Sequence, residues 1–212
     1  MQRIFSPDSK VLQFINKIFF SAWLNILWLI CCIPIITAGA STTALFYVSM
    51  KLVKGEEGNI TSQFFSAFRV NWKKATQVWL ILLAVGIFLG TDCYILYHML
   101  YDNIFWTLCF AFLIGALIVY LIVLMYVFPL LARFENTIPA MLKNSLFIGL
   151  RYLFCSILMA VVYFAMVYAV INIFTPLIVF GQGLCVLICS WLLTPIMEKL
   201  EANVLSAAEV QE

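Results

Sequence analysis

The sequence contains several stretches of about 20 consecutive apolar residues that carry few or no charged side chains. One α-helix needs about 20 such residues to cross a hydrocarbon core roughly 30 Å thick. Charged residues make up 10% of the chain, whereas a soluble domain carries about a quarter. The sequence therefore predicts an all-α, polytopic bundle of transmembrane helices that forms a single domain over residues 1–212.

The apolar stretches and the polar breaks between them predict six spans. The first ends before Pro34, which lacks the N–H group needed to continue a helix. The second is short, roughly 25 Å at 1.5 Å per residue, so the sequence leaves open whether it crosses the bilayer completely. The approximate ranges are 17–33, 38–54, 75–97, 104–131, 146–173 and 177–195.

The basic residues are distributed asymmetrically over this arrangement. All 12 Lys and Arg fall on one side, and the opposite loops, at 34–37, 98–103 and 174–176, contain none. By the positive-inside rule the basic side is cytoplasmic, which also predicts that both termini lie in the cytoplasm. If the second helix did not cross, segment 51–74 would lie outside and the asymmetry would be lost, so we expect six spans.

The N-terminal region also has features of a secretory signal. Arg3, Lys10 and Lys17 precede an apolar run that ends near Ala38-Gly39-Ala40, an A-x-A pattern typical of a cleavage site. The polar segment before the apolar run is long for a signal peptide. Removal of the first helix would also destroy the one-sided distribution of the basic residues. We therefore expect this segment to be retained as the first span.

Segment 60–72, between the second and third spans, has the pattern of an amphipathic helix. Its apolar residues Ile60, Phe64, Phe65, Phe68 and Trp72 recur at helical spacing, which is typical of a helix lying in the membrane interface. Such a helix can serve as an anchor alone or can dock a cytoplasmic partner. The candidate partner-contact residues are Phe64, Phe65, Phe68, Arg69, Arg133 and Glu135.

Asp92 is the one carboxylate inside a predicted span, close to its outer end. Intramembrane acids mark functional sites by default, although structural pairing of this side chain is equally compatible with the sequence. Aromatic and polar residues cluster nearby and could bind a sugar by stacking and hydrogen bonding, or could form the usual aromatic belt. The candidate ligand-binding residues are Asp92, Tyr94, Tyr97, His98 and Trp106, with Tyr101 and Asp102 beside them.

The run from Pro34 to Ala44 is rich in Gly, Ala, Ser and Thr, which predicts close helix packing. Asn25 in the first span is placed to hydrogen-bond across the hairpin. Ser41 lacks a nearby base, because the one histidine, His98, belongs to a different loop. With no Walker A or H-E-x-x-H motif present, the sequence predicts that the protein is not an enzyme.

The remaining composition excludes other classes of function. All 7 cysteines fall in apolar runs, where they read as small hydrophobic residues, and a thiolate metal site would be costly in hydrocarbon. We therefore expect no metal and no cofactor. No basic stripe accompanies a soluble nucleic-acid-binding pattern, so DNA and RNA are not expected as partners.

A short internal echo joins two predicted cytoplasmic helix ends. Residues 129–135 and 195–201 share the pattern P-x-x-x-[RK]-x-E. The echo suggests that the span pairs three-four and five-six are related hairpins, but matches this short arise easily by chance.

Four blocks of this sequence resemble the YesL family, or DUF624. They are Asn25-Ile-Leu-Trp28, Pro34-Ile-Ile-Thr37-Ala-Gly39-Ala-Ser-Thr-Thr-Ala44, Phe64-Phe65-x-x-Phe68-x-x-Asn71 and Phe128-Pro-Leu-Leu-Ala-Arg133-Phe-Glu135. The structural motif within them comprises Asn25, Pro34, Thr37, Gly39 and Thr42. Members are bacterial, chiefly Gram-positive, integral membrane proteins, often encoded beside carbohydrate ABC transporters and polysaccharide-degrading enzymes.

The resemblance implies that the protein lies in the plasma membrane of a bacterium, in a sugar-uptake context. The first hypothesis is an accessory or regulatory membrane component whose partner is a carbohydrate ABC transporter, with segment 60–72 and the Arg133/Glu135 segment as contacts. The second is direct binding or transport of an oligosaccharide through the bundle, with Asp92 and the outer aromatic residues lining the entry. A homo-oligomer is compatible with either hypothesis.

Overall fold

The structure is a computed structural model that describes residues 10–56, 58–99, 104–172 and 178–209. Within these ranges the chain forms seven α-helices and no β-strand. A short 3-10 turn, Ile35–Thr37, joins the first two helices. The helices are α1 (Lys10–Cys32), α2 (Ala38–Lys54), α3 (Ile60–Met99), α4 (Ile104–Leu131), α5 (Ile138–Arg151), α6 (Leu153–Asn172) and α7 (Ile178–Glu209).

Six of these helices, all except α5, are long and apolar enough to cross a membrane. Many large apolar side chains lie on the outside of the bundle, including Phe112, Phe154 and Phe164, which are 82%, 75% and 74% exposed. A surface of this kind is costly in water and favourable in lipid. The structure confirms the predicted all-α, polytopic membrane fold.

Helix α2 lies at the centre of the bundle, where it packs against α1, α3, α4 and α7. Its small residues allow this close packing. A Cβ atom at Gly39 would lie 2.5 Å from both the carbonyl oxygen of Ala75 and the Cβ of Trp79 on α3. Only glycine fits at this position, which explains its place in the family motif.

The other motif residues hold α1 against α2. Thr42 accepts a hydrogen bond from Nε1 of Trp28 at 3.1 Å and donates to the carbonyl of Ala38 at 2.7 Å. The hydroxyl of Thr37 lies within hydrogen-bond distance of the Pro34 carbonyl, at 2.7 Å. These bonds close the turn that Pro34 begins.

Asn25 is fully buried, and its side chain bonds a helix that is distant in the sequence. Its Oδ1 accepts a hydrogen bond from the backbone N–H of Gly183 on α7, at 2.9 Å. The approach is close, because a Cβ at Gly183 would lie 2.4 Å from the carbonyl oxygen of Ser21 on α1. The amide thus ties α1 to α7, and the bond predicted across the α1–α2 hairpin stays a prediction.

Segment 60–72 and the predicted third span, 75–97, form one uninterrupted helix, α3. The boundary predicted between them is corrected, because no Gly or Pro separates them and the charged pair Lys73 and Lys74 is compatible with continued helix. The orientation of the segment also differs from the prediction. Ile60 and Phe64 are buried in the hydrophobic core, whereas Phe65 and Trp72 are 39% and 42% exposed, so only part of the face expected at a membrane interface packs on the protein itself.

The predicted fifth span, 146–173, is also corrected within the described residues. The chain leaves helical geometry at Tyr152, which has φ −108° and ψ 47°, so that α5 ends and α6 begins there. The hydroxyl of Ser156 bonds the carbonyl of Gly149 at 2.8 Å and thus bridges the break. The predicted sixth span differs at its end, because α7 continues through Pro195 to Glu209.

Candidate functional site at the basic end of the bundle

The end of α2, the start of α3 and the segment after α4 meet at one end of the bundle, which we call the basic end. Two ion pairs tie α7 to this end. Lys54 Nζ lies 2.8 Å from Glu198 Oε1, and Arg133 Nη1 lies 3.2 Å from Glu201 Oε1. Both carboxylates lie beyond Pro195, so these pairs hold the last part of α7 against the ends of α2 and α4.

The turn between α2 and α3 determines which side chains face each other at the basic end. Gly55 adopts the left-handed conformation, with φ 76°, and ends α2. Oδ1 of Asn59 accepts a hydrogen bond from the Ser62 N–H at 3.2 Å and so caps the start of α3. The chain therefore reverses, and the first turns of α3 lie beside the last turns of α2.

A cavity of about 400 Å³, the polar cleft, opens where these turns meet the segment after α4. Lys51 lies in its wall, with Nζ 4.9 Å from the ring centroid of Tyr47. Arg133 also lines the cleft, and its Nη2 is shielded from solvent without a hydrogen-bond partner in the part of the chain that the structure describes. The lining consists of Tyr47, Lys51, Ser62, Gln63, Ser66, Ala67, Val70, Asn71, Leu131, Ala132, Arg133, Phe134 and Glu135.

A second cavity of about 380 Å³, the aromatic cleft, shares part of this wall. The rings of Phe68 and Trp72 meet edge to face there, with centroids 5.4 Å apart. Exposed basic side chains lie in the same wall. The lining consists of Phe68, Arg69, Val70, Asn71, Trp72, Lys73, Lys74, Leu131, Phe134 and Glu135.

The two clefts bring together most of the predicted partner-contact residues. Arg133 lies in the polar cleft, Phe68 and Arg69 lie in the aromatic cleft, and Glu135 lines both. Phe65 is 39% exposed on the neighbouring face of α3. Phe64 is the exception. It is completely buried, and the structure makes it a core residue rather than a surface contact.

The sequence analysis did not single out Lys51, Ser62, Gln63 or Ser66 as site residues. Their spacing is that of ordinary polar residues near a helix end, and no local pattern joins them to residues 131–135. The internal echo did indicate one contact at the basic end. Arg133, in residues 129–135, pairs with Glu201, in residues 195–201.

The predicted outer residues lie on α3 and α4, away from both clefts. Tyr94 and Tyr97 are 69% and 56% exposed, and His98 packs on Tyr94 with ring centroids 4.5 Å apart. Trp106 contacts Phe105. Tyr101 and Asp102 fall outside the described residues. A ligand site formed by these side chains with Asp92 stays a prediction.

A third cavity, of about 800 Å³, is an apolar groove on the side of the bundle between α4 and α6. Phe46 and Trp79 lie deep in it, and Nε1 of Trp79 donates to the Ile35 carbonyl at 2.8 Å. The exposed side chains of α6 form one wall, because this helix packs chiefly on α7. The groove arises from tertiary packing, so no sequence pattern predicted it.

Metal ligands are not assembled in the described parts of the chain, where no group of three or more His, Cys, Asp and Glu side chains lies close enough to hold an ion. The cysteines of these parts are unpaired thiols.

Comparison with known proteins gives two matches. The model of the family described as "Protein of unknown function, DUF624" matches residues 21–93, from within α1 to most of α3. The Uncharacterized protein YesL of Bacillus subtilis (strain 168) is 26% identical over 167 residues, covering 76% of each chain. No solved structure matches the chain.

The family model covers the motif residues of the α1–α2 hairpin and the first half of the wall of both clefts. Residues 131–135, which complete those walls, lie beyond it. The matched core is therefore the tightly packed α1–α2–α3 unit. The chain is therefore similar to the DUF624 family over residues 21–93 and to the Uncharacterized protein YesL over a longer stretch.

Proposed function

We propose that this protein is a non-catalytic accessory or regulatory component of carbohydrate uptake in the bacterial plasma membrane. In this proposal the basic end faces the cytoplasm, as the positive-inside rule requires. It docks a cytoplasmic part of a carbohydrate ABC transporter. The transporter context comes from the family resemblance, and the aromatic cleft supports the docking surface.

The composition of the aromatic cleft is the observation that supports a docking surface. Phe68, Trp72 and Phe134 offer aromatic area in a concave site, and Arg69 lies on its rim. Protein interfaces favour aromatic residues and Arg at their centres. Phe65 and Val70 extend the apolar surface, at 39% and 73% exposure. An exposed apolar patch beside basic residues suits a partner segment that carries both apolar and acidic side chains.

Transport through the bundle has weaker support. A conducting path needs polar groups that are available to a solute. Several polar side chains in the interior instead bond other groups of the protein, as in the bonds of Asn25 with the Gly183 backbone, Thr42 with Trp28, and Tyr126 with Ser156.

The docking proposal is tested by crosslinking in cells. A photo-crosslinking residue is placed at Phe65 or at Arg69, and the control position is Tyr94, which is exposed but lies on the distant part of α3. We expect a component of a carbohydrate transporter to be captured from positions 65 and 69 and not from 94. Capture of no transporter component, or equal capture from position 94, would contradict the proposal.

A further inference from the structure

The polar cleft collects hydrogen-bond donors from three separate segments. Lys51 comes from α2, Ser62 and Ser66 come from α3, and Arg133 comes from the segment after α4. Ser62 and Ser66 are four residues apart and so lie on the same face of their helix. A ligand in the cleft would therefore meet an ammonium group, a guanidinium group and two hydroxyl groups.

The two cations of the cleft are only partly neutralised. The structure records a contact of Lys51 with the Tyr47 ring and no ion pair among the described residues. Among the described residues, Arg133 pairs with Glu201 through Nη1, and its Nη2 is covered by neighbouring atoms and has no hydrogen-bond partner. A buried donor without a partner costs free energy, most of all in a charged group. Because Nη2 is covered, a ligand in the cleft would reach it only after neighbouring side chains shift, whereas Lys51 lines the cleft without an ion pair among the described residues.

We propose that the polar cleft is a binding site for a phosphoryl group, with Lys51 and Arg133 as its principal ligands. A phosphoryl group carries up to two negative charges and three acceptor oxygens, and Arg and Lys are the side chains that proteins use to bind it. Glu135 also lines the cleft and opposes the anion. It lowers the affinity and restricts binding to a ligand that engages both cations.

Two sources can supply this chemistry at the end of a membrane bundle. One is a soluble phosphate ester, and the other is the headgroup of an anionic phospholipid, which basic residues near a bilayer surface attract. The site is the same in both cases, so the experiment has one arm for each source. Neither arm depends on the transporter partner proposed above.

The full-length protein is purified in a neutral detergent. Binding of inorganic phosphate is measured by calorimetry, and retention of phosphatidylglycerol against phosphatidylcholine is measured by native mass spectrometry. We expect Lys51→Gln and Arg133→Gln each to weaken binding about tenfold or more, because each removes a charge-assisted hydrogen bond. Glu135→Gln is expected to strengthen binding, because it removes the opposing charge.

Two matched controls separate the site from general charge and from folding. Arg69→Gln removes a positive charge from the aromatic cleft alone and should leave the affinity near that of the parent protein. Glu201→Gln breaks the same ion pair as Arg133→Gln but keeps the guanidinium, so it should not weaken binding. If Arg133→Gln fails to fold, Lys51→Gln carries the test, because the structure records no ion pair of that side chain within the described residues.

Binding in either arm that follows this order of variants supports the site and identifies the source. Variant-dependent phosphate binding identifies a soluble ligand, and variant-dependent retention of phosphatidylglycerol alone identifies a lipid. The proposal is overturned if neither probe binds. It is equally overturned if Arg69→Gln weakens binding as much as Lys51→Gln does.

Discussion

Arg133 and Glu201 form an ion pair at the basic end of the bundle, with Nη1 3.2 Å from Oε1. The first residue follows α4 and the second lies near the end of α7, so the pair joins the two segments that share the P-x-x-x-[RK]-x-E pattern. Their side chains are 18% and 34% exposed, which places the pair between a surface and a buried interaction. Together with Lys54–Glu198, this pair holds α7 in place beyond Pro195.

The first prediction concerns this contact. Glu201→Gln should raise the rate of amide hydrogen exchange in α7 beyond Pro195, because one of its two ties is lost. The Arg133→Glu/Glu201→Arg exchange should restore part of the protection. The coupling free energy from the double-mutant cycle should be about 1 kcal/mol or less, as for other partly exposed pairs. If the exchanged pair protects α7 no better than either single reversal, the contact does not stabilise the helix.

Close packing of α2 on α3 supplies the second prediction. Gly39→Ala should destabilise the protein by about 1–3 kcal/mol, because the new Cβ would overlap Ala75 and Trp79 in the core. Gly90→Ala is the matched control, since a Cβ there meets nothing within 4 Å. It should be neutral or should stabilise α3 by about 0.5–1 kcal/mol through helix propensity. Thermal unfolding in detergent distinguishes the two, and equal effects would disprove the packing argument.

The third prediction concerns the bond between α1 and α7. Asn25→Ala should cost about 1–3 kcal/mol, because the buried N–H of Gly183 loses its acceptor. Asn172→Ala provides the comparison, because its amide bonds the Tyr168 carbonyl of its own exposed helix turn. Unfolding midpoints of the two variants would be measured side by side. A loss no larger at position 25 than at position 172 would show that the α1–α7 bond contributes little.

The break between α5 and α6 gives the fourth prediction. The Tyr126 hydroxyl lies 3.0 Å from Oγ of Ser156, a buried contact that links α4 to the first turn of α6. Tyr126→Phe should destabilise the protein by about 1 kcal/mol. Tyr168→Phe, on the exposed face of α6, should have no effect. The contact would be discounted if the two variants unfolded at the same temperature.

The sequence predicted the parts of this fold that local physics determines. The lengths of the apolar stretches predicted six spans, and the missing N–H of Pro34 predicted the turn before α2. The break at Tyr152 and the passage of α7 through Pro195 depend on contacts with distant residues, such as Ser156 with Tyr126 and Glu198 with Lys54. The local sequence pattern does not reveal contacts between such distant residues.

The sequence predicted only part of the candidate site, because the site also depends on contacts between residues that are distant in the sequence. The amphipathic pattern of segment 60–72 and the family resemblance led to the prediction of that segment and of Arg133 and Glu135 as contacts, and the structure places residues of both in shared clefts. Phe64 was misassigned because an apolar helical face looks the same whether it packs on lipid or on protein. Lys51 was missed because its role depends on Arg133, a neighbour in space only.

The final prediction concerns orientation, on which the docking proposal depends. A cysteine introduced at Glu56, in the α2–α3 turn, should react with a membrane-impermeant maleimide only after the cells are opened. Tyr97→Cys, at the opposite end of α3, should react in intact cells. The unsubstituted protein measures the background from the native cysteines, which lie within the predicted spans. The expected order follows from the basic residues beside position 56, Lys51 and Lys54, because Lys and Arg are retained on the cytoplasmic side during insertion. Labelling of position 56 in intact cells would place the basic end outside, and a cytoplasmic partner could then no longer reach the aromatic cleft.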